Sequence, residues 1–399
     1  MDYSYIKRFQ DLGFGLFIHF GLYSIVGKGE WYFFANPKSN EKDYCQLPKK
    51  FIVHPNWAKQ LVAIAKKAGA KYICLTTRHH DGFSLYDTCG LNDYDAPHSA
   101  SHRDLIKEFV DACNEGGIVP FFYHTLLDWY QPNYERDFNC YLDYLYKSVE
   151  ILCTKYGKIG GLWFDGYWNK PSADWKFDRL YQMIKKYQPE AMIVNNTGLD
   201  AQGKVSHTLV DSVTFERGKP NIVDNSDRPR AGEMCESIND HWGYTKKDYT
   251  YKSVSRLLDT LLICRECNCN FLLNVGPKGN GTIPPVEKQF LLAIGDWIKR
   301  NKNFIYHVRP CDVTAINATI VKDENHYYAI IRDVPMQANE SVAKSVAERT
   351  VAINSEKKVK HAKYLDNAHR VKIINNQFTV ESFKYGISQY ARVVQFDLE

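Results

Sequence analysis

The stretch KIGGLWFDG, residues 158–166, decides how the rest of the chain is interpreted. It is a short apolar run that is framed by glycines, ends at Asp165 and has helix-like patterns on both sides, which indicates a buried parallel strand. In a barrel of alternating strands and helices, the carboxyl ends of the strands form the active-site mouth. A helix N-cap is the other common role for an Asp after a strand. We favour a catalytic role, because other predicted strand ends carry matching side chains.

Short apolar strands alternate with amphipathic helices from about residue 13 to residue 300. The predicted strands are residues 15–21, 71–77, 118–124, the run ending at 165, 191–196, 210–216, 232–238 and 270–275. The predicted helices are residues 57–68, 104–114, 139–156, 174–187, 253–266 and 286–300. This α/β pattern predicts a TIM-like (β/α)₈ barrel. The barrel should be distorted, because only a short polar loop separates the fifth and sixth strands.

The pattern changes after about residue 303. Short alternating segments without a convincing helix follow, at residues 308–316, 319–321, 326–332, 349–353 and 390–397. They predict a C-terminal all-β sandwich. We therefore predict two domains, a catalytic barrel over residues 1–303 and a β-sandwich over residues 304–399.

The composition narrows the range of partners. Of the 399 residues 44% are hydrophobic and 24% charged, which is typical of a globular protein with a sizeable core. The net charge of +5 is small, so nucleic acid and membrane surfaces are not expected as partners. The 27 Tyr, 21 Phe and 8 Trp suit carbohydrate recognition as well as packing. Eleven scattered cysteines and the lack of a signal-like N-terminus lead us to expect a cytoplasmic protein with reduced thiols, although a trimmed signal peptide is left open.

Polar side chains stand at the ends of the predicted strands and should converge on one barrel mouth: His19, His79, His80, Tyr123, His124, Asp165, Asn195, Asn196, Glu216, Arg217 and Glu233. Among the carboxylates, Asp165 and Glu216 stand out. Two carboxylates that flank one bond are the minimal equipment for glycoside hydrolysis. Histidines and asparagines would hydrogen-bond sugar hydroxyls, and Trp163 and Trp168, which flank Asp165, offer flat apolar surface for a sugar ring.

Several segments form an ordered set of motifs: GLFIHFG at 15–21, EWY at 30–32, HHDGF at 79–83, LWFDG at 162–166, CESIN at 235–239, HWGY at 241–244 and NFLLNVGP at 270–277. In this order they resemble the motifs of the α-L-fucosidases of glycoside hydrolase family 29. The resemblance extends over roughly residues 12–300, and a β domain after the barrel also suits that family. Each motif alone is weak, whereas the ordered set is specific.

The resemblance implies a retaining exo-α-L-fucosidase that removes terminal fucose from oligosaccharides through a covalent fucosyl-enzyme, with neither cofactor nor metal. Asp165 matches the family nucleophile. The implied sugar-binding residues are His19, Glu30, Trp31, His79, His80, Tyr123 and Trp163. The expected partner is a fucosylated oligosaccharide. The linkage preference and the formation of homo-oligomers are left open.

The acid/base residue is less well marked in this family. Glu216 ends a predicted strand that can direct it into the mouth, and we predict it as the acid/base. Glu233 lies in a better-marked motif and is the alternative. Many relatives carry an Asn-Asp-Arg-like segment after the fifth strand, where this chain has NNTG at residues 195–198. Arg217 is our candidate for the missing cation.

The sequence also permits three alternatives to this function. A metal-dependent barrel hydrolase would use His19, His79, His80 and Asp165, but such barrels usually begin with two histidines separated by one residue, and the first strand here ends His-Phe-Gly. A catalytically silent sugar-binding protein is less favoured, because Asp165 stands in its full motif. A preference for a related 6-deoxy or galacto-configured sugar is left open.

Overall fold

The computed structural model describes residues 2–35, 43–336 and 349–399. The chain forms two compact units, one of Met1–Lys252 with Cys269–Leu292 and the other of Ser253–Asn268 with Ala293–Glu399. Both units are discontinuous in sequence, so the predicted domain division after residue 303 stays a prediction. Within these described ranges, none of the helices combines the length and the apolar character needed to cross a membrane.

Eight parallel strands close into a barrel in sequence order, with the last paired to the first. They are β1 Phe14–Ile18, β2 Tyr72–Arg78, β3 Val119–Thr125, β4 Gly161–Asp165, β5 Met192–Asn195, β6 Ser212–Glu216, β7 Ala231–Ser237 and β8 Cys269–Val275. Most of their residues are buried, as expected for strands covered on both faces. The predicted barrel is confirmed, with the ends of each strand within about three residues of their expected places.

The helices of the described chain are Ser4–Leu12, Tyr23–Val26, Tyr32–Ala35, Trp57–Ala68, Leu105–Gly116, Asn133–Arg136, Phe138–Lys155, Phe177–Tyr187, Val254–Glu266 and Pro285–Arg300. Local sequence explains their limits. The Asp104 side chain accepts a hydrogen bond from the Lys107 backbone N–H and caps the helix that follows. Gly69 adopts the left-handed conformation, with a φ of 85°, and ends the helix Trp57–Ala68.

The predicted distortion lies between β5 and β6. The connection, residues 196–211, is described throughout and holds one 3₁₀ turn, Leu199–Ala201, in place of a helix. The two strands share a single paired position, Val194 with Ser212. β5 and β6 therefore share fewer paired residues than any other two neighbouring strands of the barrel.

The N-terminal helix Ser4–Leu12 is not predicted by the sequence analysis. It buries Ile6 and Phe9 in one hydrophobic cluster with barrel residues that include Tyr72 and Phe121. Asn270 on β8 fixes the end of this helix by donating to the Phe9 carbonyl oxygen at 2.7 Å. The helix thus extends the core of the barrel.

The strands after the barrel form two antiparallel sheets. They are β9 Arg309–Pro310, β10 Thr314–Ile316, β11 Thr319–Lys322, β12 Tyr327–Arg332, β13 Arg349–Asn354, β14 Val359–Tyr364, β15 Gln377–Val380 and β16 Ala391–Leu398. The sheets have the orders β10-β13-β15 and β14-β16-β12-β11-β9, and both contribute side chains to one core. The predicted all-β character is confirmed.

Two details of that prediction are wrong. The segment 308–316 is not one strand, because β9 and β10 belong to different sheets. Pro310 cannot donate a ladder hydrogen bond, which suits a strand of two residues at a sheet edge. β14 and β15 are missing from the prediction. β14 carries four charged or titratable side chains at an edge, where lysines hinder pairing with other chains, so its apolar pattern is weak.

Candidate active site

A cavity of about 780 Å³ opens at the carboxyl ends of the barrel strands. The predicted catalytic and sugar-binding residues line it, with the exception of Glu233: His19, Glu30, Trp31, His79, His80, Tyr123, Trp163, Asp165, Glu216 and Arg217. The expectation for His124 and Asn195 is wrong, because both are buried outside the cavity, where they bond to Ser148 and Tyr181. The barrel thus brings together residues from positions 19 to 217 of the chain. The mouth of a parallel barrel is where such side chains meet.

Asp165 is the last residue of β4 and accepts hydrogen bonds on both oxygens. Tyr123 donates its hydroxyl to Oδ2 at 3.0 Å, and Oδ1 accepts from Trp168 Nε1 and Asn196 Nδ2, each at 3.1 Å. His80 Nε2 lies 3.4 Å from Oδ2. Burial by itself would raise the pKa of Asp165, but His80 and the hydrogen-bond donors outweigh it and lower the pKa to about 2. The carboxylate is therefore ionised at any physiological pH.

Gly166 lets the chain leave the barrel directly after this carboxylate. Its φ is +95°, a conformation that favours glycine. A Cβ at this position would lie 2.6 Å from Leu127 Cβ and 2.7 Å from the Leu127 backbone nitrogen. Glycine at position 166 is thus required for the turn that presents Asp165 at the end of β4.

Glu216 is the last residue of β6, and its pKa is shifted in the opposite direction to that of Asp165. Its Oε2 accepts a hydrogen bond from Asn196 Nδ2 at 2.9 Å. Burial and, after it, the negative charge of Asp165 raise the pKa of Glu216 to about 7. One carboxyl group in the cavity is thus ionised while its neighbour holds a proton near neutrality, and this difference is typical of an acid/base pair.

Glu233 lies deeper, inside the barrel. On the paired strands β6 and β7, Glu216 is level with Cys235, whereas Glu233 is level with Thr214, two residues or about 6.6 Å further down. Its carboxyl group accepts from Tyr72 OH at 2.5 Å and from Trp163 Nε1 at 2.8 Å. Burial raises the pKa of Glu233 to about 7 as well, but its side chain faces core aromatic rings.

The histidines of the cavity are held as hydrogen-bonding groups. His19 Nδ1 lies 2.6 Å from Asn274 Oδ1, and because an amide oxygen accepts, Nδ1 carries the proton and Nε2 is an acceptor. Burial lowers the pKa of His19 to about 3 and that of His79 well below its usual value. His79 Nδ1 is buried and has no hydrogen-bond partner within the described residues. These neutral rings suit sugar hydroxyls.

Aromatic rings form the outer wall of the cavity. Trp31 is 38% exposed and stacks on Trp168, with ring centroids 6.0 Å apart and planes 24° apart. The rings of Trp129 and Trp31 pack edge-on, with their centroids 5.1 Å apart. Another lining ring, Trp242, has the Arg217 guanidinium 4.9 Å from its centre. A sugar in this cavity would therefore meet several aromatic rings.

Glu30 and Arg217 are tied to the loop that carries Trp242. Glu30 Oε2 accepts from the Gly243 backbone N–H at 2.7 Å, and Arg217 Nη2 donates to the Asp240 carbonyl oxygen at 2.8 Å. The second contact leaves further guanidinium N–H groups for a ligand. Glu30 is 5% exposed, so its main observed contact is with this loop.

The sequence predicts Asn196 and Trp168 only as sugar contacts and gives no role to Trp242, and all three line the cavity. Asn196 follows β5 directly, as expected of a strand-end residue, but its contacts with both carboxylates are not predicted. Trp168 lies three residues after Asp165, and Trp242 lies within the HWGY motif.

A closed (β/α)₈ barrel whose mouth holds one ionised and one protonated carboxyl group among aromatic rings defines a barrel glycoside hydrolase. The family model described as alpha-L-fucosidase matches residues 2–303 of this chain. The chain belongs to the α-L-fucosidase family, glycoside hydrolase family 29. The family resemblance predicted from the motifs is thereby confirmed.

Individual relatives agree with this assignment. An α-L-fucosidase from Dictyostelium discoideum is 27% identical over 366 residues, which cover 82% of this chain and 78% of the relative. The solved structure of α-L-fucosidase isoenzyme 1 from Paenibacillus thiaminolyticus has 30% identity and a TM-score of 0.86, and 99% of each chain is covered. A Bacteroides thetaiotaomicron α-L-fucosidase, solved as a trapped covalent intermediate with 2-fluoro-fucosyl fluoride, shares the fold at 24% identity and a TM-score of 0.82, with 100% and 97% covered.

Proposed function

We propose that this chain is a retaining exo-α-L-fucosidase that hydrolyses terminal α-L-fucosyl residues of oligosaccharides, with Asp165 as nucleophile and Glu216 as acid/base. The observation that carries the proposal is that one nitrogen, Asn196 Nδ2, lies 3.1 Å from Asp165 Oδ1 and 2.9 Å from Glu216 Oε2. The two oxygens are therefore at most about 6 Å apart, near the ~5–5.5 Å of retaining enzymes and below the ~6.5–9.5 Å of inverting ones.

The ionisation states fit two displacements. In the first, Asp165 attacks the anomeric carbon, the bond to the leaving oxygen breaks, and Glu216 gives that oxygen its proton. In the second, Glu216 takes a proton from water, the water oxygen attacks the anomeric carbon, and the ester bond to Asp165 breaks with its electrons returning to the carboxylate. Two inversions release α-L-fucose. The trapped covalent intermediate of the Bacteroides relative supports this mechanism.

The lining of the cavity supports an exo-acting enzyme. The lining includes the buried rings of Phe17 and Trp163, which belong to the core of the barrel. A cavity that ends against the core suits the terminal sugar ring of a chain. Neutral His19 and His79 would bind hydroxyls of that ring. Trp31, partly exposed at the outer wall, would contact the fucose from the rim.

Covalent labelling tests the retaining mechanism. Incubation with 2-fluoro-fucosyl fluoride should add one fluorofucosyl group to the peptide that contains Asp165, because the fluorine slows hydrolysis of the intermediate. Proton NMR of early hydrolysis should show α-L-fucose as the first product. EDTA in every assay would reveal a metal-dependent reaction as lost activity. A β-configured first product or an unlabelled active enzyme would contradict the proposal.

Arg217 is proposed as a sugar-binding cation in place of the arginine found in the Asn-Asp-Arg-like segment of relatives. We expect Arg217→Ala to lower kcat/KM about 10- to 100-fold, mainly through a higher KM, because a charged hydrogen bond to substrate contributes about 1.5–3 kcal/mol. Arg217→Lys keeps the charge and should lie between the two. Full kcat/KM in Arg217→Ala, measured with 4-nitrophenyl α-L-fucoside, would remove Arg217 from the site.

A further inference from the structure

Asn196 is placed between the two carboxylates by an anchored side chain. It is 2% exposed, and its backbone N–H donates to the Phe164 carbonyl oxygen at 2.8 Å. Its Oδ1 accepts from Thr214 Oγ1 at 3.1 Å and from the Gly198 backbone N–H at 3.2 Å. A backbone N–H can only donate, so these contacts fix Oδ1 on that side and direct the NH₂ group into the cavity.

The NH₂ group has two hydrogens and two acceptors, Asp165 Oδ1 and Glu216 Oε2. We propose that Asn196 is the positioning residue of this site and that its amide holds the two carboxyl groups at the retaining distance and stabilises whichever of them carries the negative charge. This inference rests on the proposed double displacement.

The catalytic cycle explains why a donor shared by both groups is useful. Before the reaction Asp165 is charged and Glu216 is protonated. In the fucosyl-enzyme Asp165 is a neutral ester, and Glu216, having lost its proton, is charged. The negative charge thus moves from one acceptor of Asn196 to the other and back. A fixed donor that contacts both acceptors stabilises both states without reorganising, which is the basis of electrostatic preorganisation.

Isosteric replacement separates this role from simple packing. Asn196→Asp keeps the shape and can still accept from Thr214 and Gly198, but it loses both donated hydrogen bonds. We expect Asn196→Asp and Asn196→Ala to lower kcat/KM about 10²-fold. The basic limb of the pH–kcat/KM profile should move above pH 7, because the hydrogen bond from Asn196 lowers the pKa of Glu216 and its loss favours the protonated form.

The other titratable groups near the pair stay unchanged in these variants: His19, Glu30, His80, Tyr123, Arg217 and Cys235. Asn196→Asp, however, adds one carboxyl group whose charge would also raise the pKa of Glu216, so a moved limb is assigned to the lost amide donor only where Asn196→Ala shows it as well. The matched control is Asn195→Ala, which removes the neighbouring buried amide, bonded at 2.9 Å to Tyr181 OH. This control should lower thermal stability and leave the pH limb in place.

Thr214→Val provides a second test that avoids changing Asn196. It removes one of the two donors that orient Oδ1, and we expect a smaller loss, about 10-fold, with a limb that moves in the same direction. Wild-type kcat/KM and an unmoved limb in Asn196→Ala would overturn the inference. If fluorofucosyl labelling of the wild type succeeds, that result leaves the proposed function intact, whereas failed labelling of the wild type refutes the function itself.

Discussion

Replacing Asp165 with alanine is expected to lower kcat for 4-nitrophenyl α-L-fucoside by about 10⁴-fold, because the covalent route is lost. Azide should restore turnover, since a small anion can enter the space left by the carboxylate beside the Tyr123 hydroxyl, 3.0 Å from Asp165 in the wild type. A single displacement by azide inverts the anomeric carbon. The product to identify by NMR is therefore β-L-fucosyl azide.

The control for this experiment is Asp95→Ala. Asp95 is a fully buried carboxylate that accepts from the Thr88 N–H at 3.2 Å and the His98 N–H at 3.0 Å, and it lies outside the cavity lining. Its removal should reduce stability without creating a response to azide. Wild-type activity in Asp165→Ala would contradict the whole assignment of the site.

Glu216→Ala should lower kcat/KM by an amount that depends on whether the leaving group of the substrate needs a proton. We expect kcat/KM for fucosylated oligosaccharides to fall about 10²–10⁴-fold, and much less for aryl fucosides whose leaving group needs no proton. Wild-type kcat/KM for oligosaccharides should be full below pH 7 and decrease as the pH rises through the pKa of Glu216, about 7, because only the protonated acid can donate. The variant should lack this basic limb. With azide it should give the α-azide, formed by two inversions.

Glu233→Ala is the matched comparison, because burial raises the pKa of Glu233 to about 7 as well. Removing its carboxyl group leaves Tyr72 OH and Trp163 Nε1 without their acceptor inside the barrel. We expect a decrease of about 1–3 kcal/mol in the free energy of unfolding per group left unpaired. An α-azide product from Glu233→Ala, and none from Glu216→Ala, would exchange the roles of the two glutamates.

The choice between these glutamates shows what a sequence can and cannot specify. Glu216 ends the predicted strand 210–216, whereas Glu233 is the second residue of the predicted strand 232–238 and therefore lies near its amino end, away from the mouth. Strand position alone thus favours Glu216. The level of a side chain in a barrel, however, depends on the register between neighbours, and two positions separate the cavity from the core. The pairing of Glu216 with Cys235, and of Glu233 with Thr214, exists only in the closed barrel.

Asn196 shows a second limit. Its position at a strand end could be predicted, but its contacts depend on the orientation of an amide that Thr214 and Gly198 fix from two different segments. The barrel itself was predictable because buried parallel strands and amphipathic helices have strong local patterns. β14 was not, since a lysine-bearing edge strand lacks the apolar alternation on which such predictions depend.

The single paired position between β5 and β6 has a consequence for the evolution of this enzyme. Most neighbouring barrel strands are joined by several paired positions, whereas this pair has one, and its connection forms part of the cavity wall at Leu199 and Asp200. Residues inserted into or deleted from that 3₁₀ turn would disturb few ladder hydrogen bonds. Natural selection can therefore remodel this part of the cavity wall while the nucleophile, held by β4 on its own paired strands, stays in place.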